Sequence, residues 1–176
     1  GVINYLNQFG YTSGYKGNDP VGELFYASQL YFRNMSFPSN YTSSTTVAGV
    51  DGFPVITSFA DPIIKSCQKN FILGIGDIYT HCDGNLPGAS TNTKGGSYDT
   101  GTCGSSFPTD SSVNVETLWN SIKSMENITS WTGGSTQGTA FMSGLAWWAN
   151  TNDIRSDLTG KQTIATYWVD VLENNN

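Results

Sequence analysis

A seven-residue apolar run, Asn70 to Gly76 (NFILGIG), constrains the fold of this chain more than any other stretch. It is too short for a typical helix and is bounded by polar residues, with Asp77 standing directly at its end. Runs of this kind, apolar on both faces rather than alternating, belong to strands buried inside parallel sheets. A second strand is expected over Gln162 to Leu172. There Ile164, Thr166 and Trp168 alternate with Ala165, Tyr167 and Val169, and β-branched and aromatic side chains dominate.

Helical signals lie before and between these runs. Asp19-Pro20 opens a helix in which Val21, Leu24, Phe25, Ser28, Leu30, Tyr31 and Phe32 form a broad apolar face to about Arg33. Val115, Leu118, Trp119, Ile122 and Met125 are spaced as on one helix face, which predicts a helix over Val113 to Met125. Thr139 to Asn150 (TAFMSGLAWWAN) reads as a buried helix despite Gly144. The pair Trp147-Trp148, with Phe141 and Leu145, fits core at helical spacing better than an exposed sticky face. Val2 to Phe9 reads as the end of a further apolar helical element, and Pro62 to Ser66 as a short helix.

The order of helix, strand, long loop, helix, helix, strand suits an α/β domain with a largely parallel sheet. Two strands do not complete such a sheet. The missing ones are expected either near Val47 to Thr57 or upstream of Gly1, and in the second case the 176 residues are an incomplete domain portion. Two polar insertions interrupt it, at about 34–54 and 78–112. The second has 35 residues rich in Gly, Ser, Thr, Asn and Asp, longer than an ordinary connection.

Composition excludes several functions. Only 12% of residues are charged, the net charge is −6, and the eight basic residues are scattered. That gives no footprint for nucleic acid. Nothing approaches an 18-residue apolar run, so no membrane insertion is expected. The aromatic share of 13% argues against disorder.

Cys67, Cys82 and Cys103 are an odd set. The polar loop between Cys82 and Cys103 is of the kind a disulfide staples, leaving Cys67 to pair outside the chain; the other reading keeps all three reduced. A zinc site from these cysteines and His81 lacks the usual ligand spacing. Gly133-Gly134-Ser135-Thr136-Gln137 is not a nucleophile elbow, and no Ser or Asp is paired with His81, so a secreted hydrolase ranks last among the functions considered. Asp83-Gly84-Asn85 lacks the spaced acids of a calcium loop and reads as a polar turn.

Several stretches together resemble one family. Gly17 to Ala27 (GNDPVGELFYA), continuing to Tyr31-Phe32, is similar to the segment of PilY-type proteins of bacterial type IV pili that carries a G-G-T-P-L-x-E-A-L-Y pattern. Cys67 to Ile72 resembles that family's lead-in to its central strand, and Phe71 to Gly88 the loop after it. Ile154 to Leu158 and Gly160 to Val171 resemble its closing unit. The matches keep their order and span nearly the whole chain.

The resemblance implies the C-terminal half of a von Willebrand factor A-like (Rossmann-like) α/β domain in an exported protein of the cell surface, at the pilus tip or outer membrane. It implies a non-enzymatic role in pilus assembly and adhesion. The partners would be pilins or minor pilins, the remaining part of the same pilus-tip protein, and a host or surface receptor. Such domains often hold Mg²⁺ or Ca²⁺ at the carboxyl edge of the sheet. The D-x-S-x-S motif is absent here. Asp19 stands where Thr is usual, and Asp77 where the common T-D-G has become G-I-G-D. Asp19 is thus either part of an incomplete metal site or a helix N-cap, and Asp77 either a ligand or a turn former. A stand-alone cation-dependent binding domain, unrelated to pili, is the alternative.

Overall fold

The computed structural model of the chain describes residue 3 and residues 20–42, 56–76, 83, 85–89, 107–130 and 139–171. Helix α1 runs over Val21–Phe32 and is followed by a 3₁₀ turn at Ser39–Tyr41. Strand β1 is Asn70–Gly76, helix α2 Val115–Met125, helix α3 Phe141–Thr151 and strand β2 Ile164–Asp170. β1 and β2 pair in parallel from Asn70↔Ile164 to Gly76↔Asp170, and Val171 N–H extends the ladder to the Gly76 carbonyl at 3.0 Å. The α/β order expected from the sequence is therefore present. No helix among the described residues is long and apolar enough to cross a membrane.

The helices form because each buries one stripe. On α2 the buried positions Val115, Leu118 and Trp119 follow the three-and-four spacing, and Asn114 caps the helix by accepting the Thr117 N–H at 2.9 Å. On α3, Phe141, Leu145, Trp148 and Ala149 are buried, and Trp147 is partly so. Gly144 lies where α3 crosses α2. A Cβ there would stand 2.7 Å from Leu118 Cβ and 3.2 Å from backbone atoms of Leu118 and Trp119. The absence of a side chain sets the helix spacing. Gly144→Ala is expected to destabilise the chain by about 1–2 kcal/mol, the overlap outweighing the gain in helix propensity. Thermal unfolding followed by circular dichroism checks this, and an unchanged or raised midpoint would mean the two helices separate freely.

Helix α1 departs from the apolar face read in the sequence. Leu24 is 68% exposed and Tyr31 is exposed as well, while Glu23, Gln29 and Arg33 are buried beside Phe25, Tyr26 and Leu30. Each of these buried polar residues makes at least one tertiary hydrogen bond, although Glu23 Oε2 and Gln29 Oε1 have no partner among the described residues. Gln29 Nε2 donates to the Leu145 carbonyl of α3 at 2.8 Å. Arg33 pairs with the nearly buried Asp110 through both ends of its guanidinium and lies 5.0 Å above the Trp148 ring. Burial alone would raise the Asp110 carboxyl, but Arg33, the Ser112 N–H and the Tyr26 hydroxyl hold it below the ordinary carboxylate range.

Residues 62–66 do not form the expected helix. Asp61 Oδ1 accepts the Ile63 N–H at 2.9 Å, as a helix cap would, but the Pro62 carbonyl, which a first helical turn would offer to the Ser66 N–H, accepts Gln68 Nε2 at 2.9 Å instead. Of the strands sought near 47–57, residues 56–57 belong to no strand and the rest fall outside the described residues.

At the amino ends of the strands a polar network fixes the start of the sheet. Gln162 Nε2 donates to the Ser66 carbonyl at 2.7 Å, and Asn70 Nδ2 to the Thr163 carbonyl at 3.2 Å. Arg155, 4% exposed, grips both oxygens of Asp61 and both of Asp157 at 2.7–2.8 Å. Stretches 67–72, 154–158 and 160–163, separate in sequence, meet here.

Helix α3 packs on one face of the sheet, and α1 and α2 pack on α3. On that face Trp168 lies across Gly74, where a Cβ would come within 2.0 Å of its ring. The opposite face carries Phe71, Leu73 and Ile75 from β1 and Tyr167, Val169 and Val171 beside and beyond β2, all exposed. β1 is thus half bare rather than buried on both faces.

Candidate functional site

Open α/β sheets place ligand sites beyond the carboxyl ends of their strands. In this chain that end can be located from α3. Its last turn reaches the start of β2, where Asn150 Nδ2 donates to the Ile164 carbonyl at 3.4 Å, so its first turn lies toward the strands' carboxyl side. The first turn of α1 meets the same place through Asp83.

Asp83 is 2% exposed and holds φ +40°, a left-handed backbone that Asp tolerates better than most residues. Its Oδ1 accepts the Gly22 N–H at 3.0 Å, from the open first turn of α1. Its Oδ2 accepts the Thr139 N–H at 3.0 Å and the Thr139 hydroxyl at 2.9 Å. Thr139 Oγ1 in turn accepts the Phe141 N–H at the start of α3 at 3.2 Å. One carboxylate therefore ties together the amino termini of two helices, where unpaired N–H groups and the helix dipoles favour negative charge. Gly22 is required by the same contact, since a Cβ there would lie 2.5 Å from Asp83 Oδ1.

The next residues continue inward. Asn85 donates its backbone N–H to Glu23 Oε1 at 3.0 Å, and its carbonyl accepts the Tyr41 hydroxyl at 2.6 Å. Leu86 is fully buried, Ala89 is buried, and the Pro87 carbonyl accepts the Val115 N–H at 2.8 Å. Gly88, at φ +79°, leaves room for the Asn114 side chain that caps α2. Residues 85–89 of the long insertion are thus a plug in the core.

Glu23 is 6% exposed, and its Oε2 has no hydrogen-bond partner among the described residues. Burial, reinforced by the charge of Asp83 and only partly opposed by Asn85, pushes its carboxyl up to about 7. The two carboxylates have opposite environments. Asp83 is surrounded by donors, whereas Glu23 holds its proton to near neutrality. Burial, with the charges of Glu23, Tyr26 and Asp83 added, also pushes the Tyr41 hydroxyl up.

The site residues expected from sequence are not the ones described here. Asp19, Asp77, Cys82 and Cys103 all lie outside the described residues, as does His81. Cys67 is exposed and free. Among the described residues no group of three or more His, Cys, Asp or Glu side chains converges as metal ligands would; the Mg²⁺ or Ca²⁺ expectation rests on Asp19 and Asp77, which lie outside the described residues. In the sequence Asp83-Gly84-Asn85 has the pattern of a polar turn, which conceals the role of Asp83. Its one signal was the D-G-N-L-P-G string ending the stretch that follows β1.

Comparison with known proteins gives one relative of note. The chain is 36% identical, over 195 aligned positions and 98% of its own length, to a protein of Xylella fastidiosa (strain Temecula1) described as a type IV pilus biogenesis factor PilY1 homolog. It spans only 16% of that relative's length. No family model matches the chain. No solved structure matches it either.

Proposed function

We propose that this chain is a module of a type IV pilus biogenesis factor that works at the cell surface by protein–protein contact, as part of a pilus-tip adhesin or assembly protein, and not by catalysis. The observation that carries this reading is the 36% identity over 98% of the chain to the Xylella PilY1 homolog. The stretches resembling PilY-type proteins also have physical work in the fold. Gly22 and Glu23 of the first meet Asp83 and Asn85 of the second, and residues 67–72 meet residues 154–163 at the start of the sheet. A von Willebrand factor A-like arrangement is consistent with the parallel β1–β2 pair and the helix α3 packed on one face of it.

The buried polar residues support a scaffold role. Asp83, Arg33, Asp110 and Arg155 spend their hydrogen bonds on joining elements, which leaves binding to surfaces and loops carried by the rigid frame. Partners would be pilins, minor pilins or other parts of the same protein.

The test is to shear filaments from source cells, pellet them, and look for peptides of this chain by mass spectrometry. They are expected to sediment with pilins and to vanish from the pellet of a strain lacking the major pilin. Recovery of the chain only in the unsedimented fraction would overturn the pilus reading.

A further inference from the structure

The outer face of the sheet carries six large apolar side chains in two adjoining rows. Phe71, Leu73 and Ile75 project from β1, and Tyr167, Val169 and Val171 from β2 and the residue after it, with exposures from 43% to 68%. The register sets Leu73 opposite Tyr167 and Ile75 opposite Val169. Phe71 and Tyr167 lie 6.2 Å apart, ring to ring. Among the described residues of the two strands Ala165 is the remaining member of the face, and none of them places a charged side chain on it. Contiguous exposed apolar surface on this scale marks an interface. Parallel sheets in particular occur with both faces covered, and what covers them is helices.

We infer that this face is the docking surface for an amphipathic α-helix supplied in cis by further polypeptide of the same protein. The dimensions fit one helix. The apolar rows run for about 20 Å along the strands at the usual rise per strand residue, which a helix of roughly 13 residues matches. Two strands side by side are about as wide as the contact surface of one helix, whose diameter is about 10 Å. The uncharged face selects a helix stripe of aliphatic or aromatic residues. A source in cis is favoured because the Xylella relative carries the matching segment within a chain of which that segment is only 16%. The inference does not depend on a role in pili, and its test uses none.

The test uses the purified protein at its full natural length. Leu73→Cys and Val169→Cys place reporters on the face, and Ile64→Cys, at a residue 76% exposed and outside the sheet, gives the reference. Alkylation by N-ethylmaleimide is followed at each site by peptide mass spectrometry. Both face reporters are expected to react at least about tenfold more slowly than the reference, at rates unchanged on hundredfold dilution. Reaction as fast as the reference overturns the inference. Slow reaction that speeds up on dilution also overturns it, in favour of a second copy of the chain. Hydroxyl-radical footprinting of the unsubstituted protein keeps the question open to test should a variant fail to fold. Phe71 and Tyr167 are expected to be modified several-fold less than exposed Tyr31, and equal or greater modification counts against a covering helix.

Discussion

Replacing Asp83 by alanine is expected to lower the unfolding free energy of the chain by about 4 kcal/mol, read from urea denaturation. The change removes the acceptor for three donors at once: the Gly22 N–H, the Thr139 N–H and the Thr139 hydroxyl. A buried donor left without a partner costs about 1–3 kcal/mol, and here two of the three are backbone groups at helix amino termini that have no intrahelical alternative. The negative charge facing the two helix dipoles is lost with them. Part of the alanine effect is backbone strain, because φ at Asp83 is +40°. Asp83→Gly separates the two contributions, since glycine tolerates this conformation. The glycine variant is expected to remain at least about 2 kcal/mol less stable than the parent. If it matches the parent, the carboxylate is not what joins α1 to α3.

Asp83 also shows where the sequence ceases to be legible. β1 was readable to the residue, Asn70–Gly76, because a short apolar run with polar ends has few other solutions. β2 was readable but begins at Ile164 rather than Gln162, since Gln162 is occupied with Ser66, Asp153 and Ile154 before the ladder starts. α2 and α3 followed from spacing, and the glycine inside α3 is explained only by Leu118 of the neighbouring helix. Asp83 pairs with residues 61 positions before it and 56 after it. No local pattern carries such a partnership, and an Asp followed by Gly looks like a turn. The same limit hid Glu23, Gln29 and Arg33. A template that seeks apolar residues at helical spacing assigns polar ones to solvent, and only tertiary partners reverse that. Phe71, Leu73 and Ile75 fail in the other direction. Their composition predicts burial on both faces, and in the described residues only the inner face is covered.

Glu23 makes stability fall as the solution is made more alkaline, against the usual direction for a carboxyl group. Its ordinary value is 4.5, and burial together with Asp83 pushes it up to about 7 in the folded chain. Between those values the folded form holds a proton that the unfolded form has released. The stabilisation is complete below about pH 4.5 and is lost as pH rises through about 7, for a total on the order of 3 kcal/mol. Asp61, Asp110 and Asp157 act in the opposite sense at the acid end. Arg155 lowers the first and last, and Arg33 with its neighbours lowers Asp110, so the stability they add is lost as pH falls below the ordinary Asp range. The two trends place maximum stability on the acid side of neutrality, near about pH 5. Glu23→Gln tests the source of the alkaline limb. The neutral amide keeps an oxygen to accept from Asn85 and removes the charge beside Asp83. It is expected to flatten the profile between pH 5 and 8, and to leave the variant about 2 kcal/mol more stable than the parent at pH 8, while the two differ by less than about 1 kcal/mol at pH 5. A parent profile with no fall above pH 5 would mean that Glu23 is ionised in the folded chain, its charge offset by a cation or by donors on residues outside those described. In that event Glu23→Gln would destabilise at pH 8 instead, so the sign of one measurement separates a carboxyl that holds a proton from one that holds a counter-charge.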